Sequence, residues 1–318
     1  MPQQSCIQGT SDVSDITLAG ETLPASIDPE TLALSEADLA ALRRAVRALE
    51  QPGLAARLSA AAGAPLDIIG RSLPAPVTDA VARTTETAMR GALRVALATL
   101  PKKADQPDGA EVPALTDARG SRFGRLFQSS EFNHKALAAV SGAVGGAFGL
   151  ATLAVELPLS TTLMLRSIAE IARAEGEDIE TPEGALACVQ VFALGSRGGE
   201  TGLAESGYFA VRAALAKTMA EAARFAGSRA LVDEAAPALL RFTAQIAARF
   251  GIVVSQKVAA QAIPVLGAFG GAAVNTAFMD HFQSVARAHF TVRRLERAYG
   301  KAVVRAAYDL EKAALGIA

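Results

Sequence analysis

Apolar residues recur along this chain at three- and four-residue spacing, and they alternate nowhere over a length that would make a strand. The pattern predicts an all-α protein. The first helix opens at Ser35, a capping residue with Asp38 three positions on, and Leu34 and Leu39 are placed to staple its entry. It runs to about Glu50, where Pro52-Gly53 ends it, and short helical pieces follow to Gly70. Pro76 opens a longer helix whose stripe is Val77, Val81, Ala88, Ala92, Leu93, Ala96, Leu97 and Leu100. Residues 1–33 lack any period and read as a mobile tail, and 101–121, rich in proline, glycine and charge, reads as a linker. The expected division is therefore a helical segment over 34–100 and a larger helical domain over 122–318.

Two stretches of the larger domain stand out. Ala136–Val155 and Val258–Met279 are free of charge over 20 and 22 residues, bounded by Lys135 and Glu156 and by Lys257 and Asp280. That length reaches the membrane-spanning threshold. The composition does not: both are alanine- and glycine-rich and are interrupted by Ser141, Thr152, Gln261, Asn275 and Thr276. A stable spanning helix, two centrally packed core helices and a reversibly inserted hairpin are the competing readings. Gly142 and Gly146, Gly145 and Gly149, and Gly267 and Gly271 are spaced four apart, so they strip bulk from one helix face and admit a close backbone. Gly270 belongs to the same group, because Gly142-Ala143-Val144-Gly145-Gly146-Ala147 echoes Gly267-Ala268-Phe269-Gly270-Gly271-Ala272 at all but one position. That similarity is compatible with a pseudo-repeat and with chance in a low-complexity segment.

Composition narrows the function classes. The 31 basic residues are balanced by 32 acidic ones, which argues against a nucleic-acid partner, and the absence of tryptophan leaves no aromatic belt for a spanning helix. The one basic cluster, Arg287, Arg293, Arg294 and Arg297, reads as a solvated helix face. Cys6 lies in the polar tail and Cys188 in an apolar helix, so no disulfide is expected. The first residues carry neither a secretory signal pattern nor an apolar run before Cys6, which points to the cytoplasm.

Several short motifs in order resemble the EcsC protein family. They are Phe132-Asn133-His134-Lys135, Ser141-Gly142-Ala143, Glu156-Leu157-Pro158, Leu165-Arg166-Ser167-Ile168-Ala169 and Glu175-Gly176-Glu177-Asp178. In the second half they are Gly207-Tyr208 with Arg212, Ile263-Pro264-Val265-Leu266-Gly267-Ala268, Asn275, and Ala286-Arg287-Ala288-His289-Phe290. The resemblance covers about residues 122–300, so 122–318 reads as an EcsC-like domain. It implies a bacterial accessory protein associated with transport or the envelope, and it supplies no catalytic residues.

No phosphate-binding glycine loop, dinucleotide fingerprint or nucleophile elbow occurs, and no cofactor is expected. His281 and His289 lie eight residues apart, about 12 Å along a helix, too far to share an ion, so no metal site is expected. Glu156 is the candidate of most interest. It closes an apolar run just before Pro158, where the helix is expected to break or restart. It is read either as an exposed helix end or as one wall of a polar cleft shared with Asn275. Arg166, ten residues later, needs a bend to reach it. The leading expectation is a non-enzymatic accessory protein, peripheral to the cytoplasmic membrane face, that binds membrane lipid or a membrane transport complex. A soluble hydrolase-like enzyme with a cleft around Glu156, Asn275 and His281 is the alternative, and a structural helical adaptor the third.

Overall fold

Ser35 begins the first helix as its sequence requires: its Oγ accepts from the Asp38 amide at 3.1 Å and donates to the Asp38 carboxylate at 3.0 Å. The computed structural model describes residues 34–50, 73–98, 100, 153–196, 207–228, 236–261 and 267–316, with no side-chain detail for 261 and 267–272. Among these residues there are eight helices and no strand: α1 Glu36–Glu50, α2 Ala75–Ala98, α3 Leu153–Ala174, α4 Pro182–Leu194, α5 Tyr208–Ser228, α6 Pro237–Gln261, α7 Gly267–Tyr299 and α8 Lys301–Ala314. The 1–33 tail, the 101–121 linker and the first apolar run as far as Thr152, with Gly142, Gly145, Gly146 and Gly149, lie outside the described residues. Gly267, Gly270 and Gly271 fall in the opening turns of α7, and their packing also lies outside what is described.

Helix α4 is the centre. Every residue from Gly184 to Leu194 is buried, and α2, α3, α5, α6 and α7 all pack on it. A helix apolar all round has to be enclosed in this way. Its start is built tightly: Thr181 Oγ1 caps the Gly184 amide at 3.1 Å and Pro182 occupies the first turn. Phe192 of α4 meets Phe250 of α6 and Phe282 of α7 with ring centroids 5.1 and 5.5 Å apart, and Phe278 extends this aromatic core. Helix α7, 33 residues and about 50 Å long, runs past α1, α3, α4, α6 and α8.

Expectations meet the structure at three points. The 258–279 run is shared between two described helices, α6 ending at Gln261 and α7 starting at Gly267, and residues 262–266 between them lie outside the described residues. Pro158 does not break its helix, since α3 continues through it to Ala174. The proline deprives the Ala154 carbonyl of a donor, but Ala154 is exposed, so water can satisfy that group. Finally, the 34–100 segment shares one hydrophobic core with the rest: Leu42, Val46, Met89 and Leu93 belong to the same cluster as Phe192 and Phe282. The expected boundary separates two stretches of chain but not two cores.

Gly184 offers a sharp test of the α3–α4 turn. A Cβ added there would lie 1.9 Å from the Asp178 carbonyl oxygen, so backbone would have to move. Gly184→Ala should cost about 1–3 kcal/mol or more in urea unfolding; an unchanged midpoint would show that the turn is not this tight.

Candidate functional site

A lone charge in an apolar helix must find a partner or lose its proton. Lys257, near the end of α6, is fully buried, and its Nζ donates to Glu156 Oε1 of α3 at 2.7 Å and to Asn275 Oδ1 of α7 at 2.9 Å. The ammonium also lies 4.9 Å from the Phe278 ring centroid. Burial pushes the Lys257 pKa below its usual value, and Glu156 works against that shift. Glu156 and Asn275 are themselves 6 % and 1 % exposed, so this cluster is an interior lock between three helices rather than an open cleft.

The other candidates do not gather there. Arg166 is half-buried on α3, ten residues and about 15 Å beyond Glu156 along a helix that does not bend back. His281 follows Asn275 by six residues, about 9 Å along α7. Its Nε2–H donates at 2.7 Å to the Gly195 carbonyl, so the imidazole caps the C-terminal end of α4. No group of three potential metal ligands occurs among the described residues.

Two further polar clusters were not singled out as sites from the sequence. Arg212 of α5 forks onto Glu296 of α7 at 2.7 and 2.8 Å and also donates to the Tyr208 oxygen at 3.2 Å. The Tyr208 hydroxyl is then the donor to His289 Nδ1 at 2.8 Å, which leaves the His289 proton on Nε2. That nitrogen is buried and has no hydrogen-bond partner among the described residues. Desolvation, reinforced by the charges of Arg212 and Arg293, holds His289 well below its usual pKa, and burial raises the Tyr208 phenol. The second cluster corrects the reading of the arginines as a solvated face. Glu177 is bound by Arg293 and Arg297, while Arg294 bridges Glu175 and Asp38 at 3.0 Å each; Arg287 and Arg297 stay exposed as expected, Arg297 while paired. Burial opposes ionisation of Glu177, yet the two guanidiniums hold its carboxyl below the usual range. Gly176, at φ +72°, supplies the left-handed turn that lets both flanking glutamates face α7.

The open concavity lies elsewhere. Between α2 and α6 a mostly apolar groove of about 440 Å³ is floored by Val81, Ala247 and Gly251 and edged by Ala82, Ala248 and Ile252, with Thr78, Glu86 and Ser255 as its polar lining. Ile252 is 49 % exposed. The sequence signal for it is the i, i+4, i+8 apolar spacing of Ala244, Ala248 and Ile252 on one face of α6. Sequence reasoning misses Lys257 because it stands at the edge of an apolar run. A single lysine followed by Val258-Ala259-Ala260 on a long apolar helix was the available clue.

One comparison with known proteins identifies a family. The model of the EcsC protein family matches residues 36–295, most of the chain, and the chain belongs to that family. No curated protein and no solved structure matches it.

Glu156→Gln should strand the buried ammonium and cost about 3–5 kcal/mol in chemical denaturation, whereas the double variant Glu156→Leu/Lys257→Met should recover most of that loss. A single variant as stable as wild type would mean that the pair is not buried as described. His289 makes a separate prediction. Its folded pKa lies below the unfolded value of 6.5, so the stability of the neutral ring is intact above pH 6.5 and is lost as pH falls beneath it. Urea midpoints from about pH 7.5 down to about pH 5 should fall more steeply for wild type than for His289→Gln. Equal slopes would remove His289 from the account.

Proposed function

We propose that this member of the EcsC protein family is a non-enzymatic accessory protein that associates peripherally and reversibly with the cytoplasmic face of a membrane. There it binds lipid or a membrane protein complex. The observation that carries this reading is α6. Pro237–Ala260 is the one described helix long and apolar enough to cross a membrane, with mean hydropathy 1.3 over an 18-residue window, yet only 44 % of that window is buried. A core helix of that composition would ordinarily be enclosed. This one leaves Ala244, Ala248 and Ile252 exposed beside an apolar groove, a surface suited to an interface rather than to water.

The hydrolase alternative has less support. Among its three expected residues, Glu156 and Asn275 both serve the Lys257 ammonium and His281 serves the Gly195 carbonyl. None of these contacts leaves a nucleophile beside a base at an open cleft, which hydrolysis requires.

Flotation of the full chain with vesicles of mixed zwitterionic and anionic bacterial phospholipids tests the reading. The protein should rise with the lipid at low ionic strength and be released from it without detergent. A chain that stays at the bottom at every lipid concentration would overturn it.

A further inference from the structure

The Tyr208 hydroxyl has one proton, and it goes to a buried acceptor that can itself be protonated. Its oxygen accepts from Arg212 at 3.2 Å while its hydrogen is donated to His289 Nδ1 at 2.8 Å, which clasps the first turn of α5 to α7. A proton on Nδ1 would turn that acceptor into a donor, and the fully buried phenol would have to send its own hydrogen elsewhere.

The surroundings do not favour that proton. From α5 the ring faces Tyr208 and Arg212, and on α7 it has Arg293 four residues on and Glu296 seven. Glu296 is already forked by Arg212, and Glu177, in the turn before α4, is bound by Arg293 and Arg297. Cys188 of α4 is kept a neutral thiol by burial, its pKa pushed up to about 12. Tyr308 of α8 stacks on Tyr208 and donates to Glu50 of α1 at 2.6 Å. The described contacts of the ring include no charged side chain from α3 or α6. Burial, together with the charges of Arg212 and Arg293, holds His289 well below its usual pKa of 6.5. A ring released to solvent regains that value, so the closed state is undisturbed above pH 6.5 and loses ground to an opened one below it.

Helix α5 is also a cover. It packs on α4 and α6, and its polar ties to α6, Thr218 to Gln245 at 2.8 Å and Arg241 to Glu221 at 3.1 Å, lie at the surface where water competes. Its buried face passes from Val211 and Leu215 to Ala222, Ala223 and Ala226, so small side chains hold its second half. Lifting it would bare more of α6, the described helix whose length and composition suit a membrane.

We infer that α5 is an acid-released cover: a proton taken up by His289 undoes the Tyr208 clasp, α5 lifts from the body, and the apolar faces of α5 and α6 meet the bilayer. The inference rests on the peripheral-membrane reading and adds its regulation to it.

Hydrogen exchange and flotation of the full chain test it together. Between about pH 7.5 and about pH 5.5 the amides of α5 should lose about tenfold in protection, after correction for intrinsic exchange, while those of α3 keep theirs. Over the same range, wild-type binding to phosphatidylethanolamine–phosphatidylglycerol vesicles should rise about tenfold more than that of His289→Gln, whose amide accepts the Tyr208 proton but does not titrate. The comparison cancels the positive charge that the rest of the chain gains in acid. Tyr208→Phe keeps the ring stack on Tyr308 and drops the hydroxyl. It should loosen the α5 amides at about pH 7.5 already, and it serves if His289→Gln folds poorly. Protection lost equally by α3 and α5, or a pH response equal in wild type and His289→Gln, would overturn the inference and leave the membrane reading standing. An α5 as well protected in Tyr208→Phe as in wild type would do the same. Flotation at neither pH would overturn both.

Discussion

The fold turns on one buried charge. The Lys257 ammonium is enclosed where α3, α6 and α7 meet, and an isolated cation there would carry a desolvation penalty of several kcal/mol. Glu156 neutralises it and Asn275 accepts a second of its three protons, so the three helices can take only the arrangement that brings both oxygens to Nζ. Apolar packing alone would tolerate small slides of α3 along α6. A shared ammonium does not, because a shift of an ångström or two would leave a buried charge without its partner.

The same logic recurs along α7. Towards its C-terminal end, Arg212 and Glu296 tie it to α5, and Arg293, Arg294 and Arg297 tie it to the turn between α3 and α4 and to the start of α1. Several motifs that carry the family resemblance fall in these junctions: Glu156, Asn275, Tyr208 with Arg212, His289, and the Glu175-Gly176-Glu177 turn. Their chemistry is spent on fixing how helices meet. A helical core built mainly from alanine, leucine and valine offers many near-equivalent packings, and polar contacts that fail completely when displaced distinguish between them.

If the polar residues work inwardly, the outward surface is where a partner must be met. Helix α4 absorbs the most apolar sequence at the centre, while α6 is apolar and yet partly uncovered. The two differ in position rather than in composition. Five helices pack on α4, whereas four pack on α6, and its open groove is shared with α2. Val155 and Leu159, exposed at the start of α3, add to the apolar surface on this protein without belonging to that groove.

Local chemistry made much of this legible in the sequence. Helical periodicity, the Ser35–Asp38 cap and the stripe on α2 depend on neighbours within a few residues, and each appears in the structure where the sequence puts it. A polar residue isolated among apolar ones needs a partner wherever the chain goes, which is why Glu156 and Asn275 could be singled out from their surroundings. The identity of that partner could not be, because Lys257 lies 101 residues from Glu156 and only packing brings them together. For the same reason arginines that read as a solvated face prove to be paired across 116 to 120 residues, and His281 caps a helix instead of joining a cleft. The sequence by itself determined which segments are helical and which side chains could not stay alone. Only the tertiary structure decided which charges meet and which apolar face is left to solvent, since both depend on how separate helices are laid side by side.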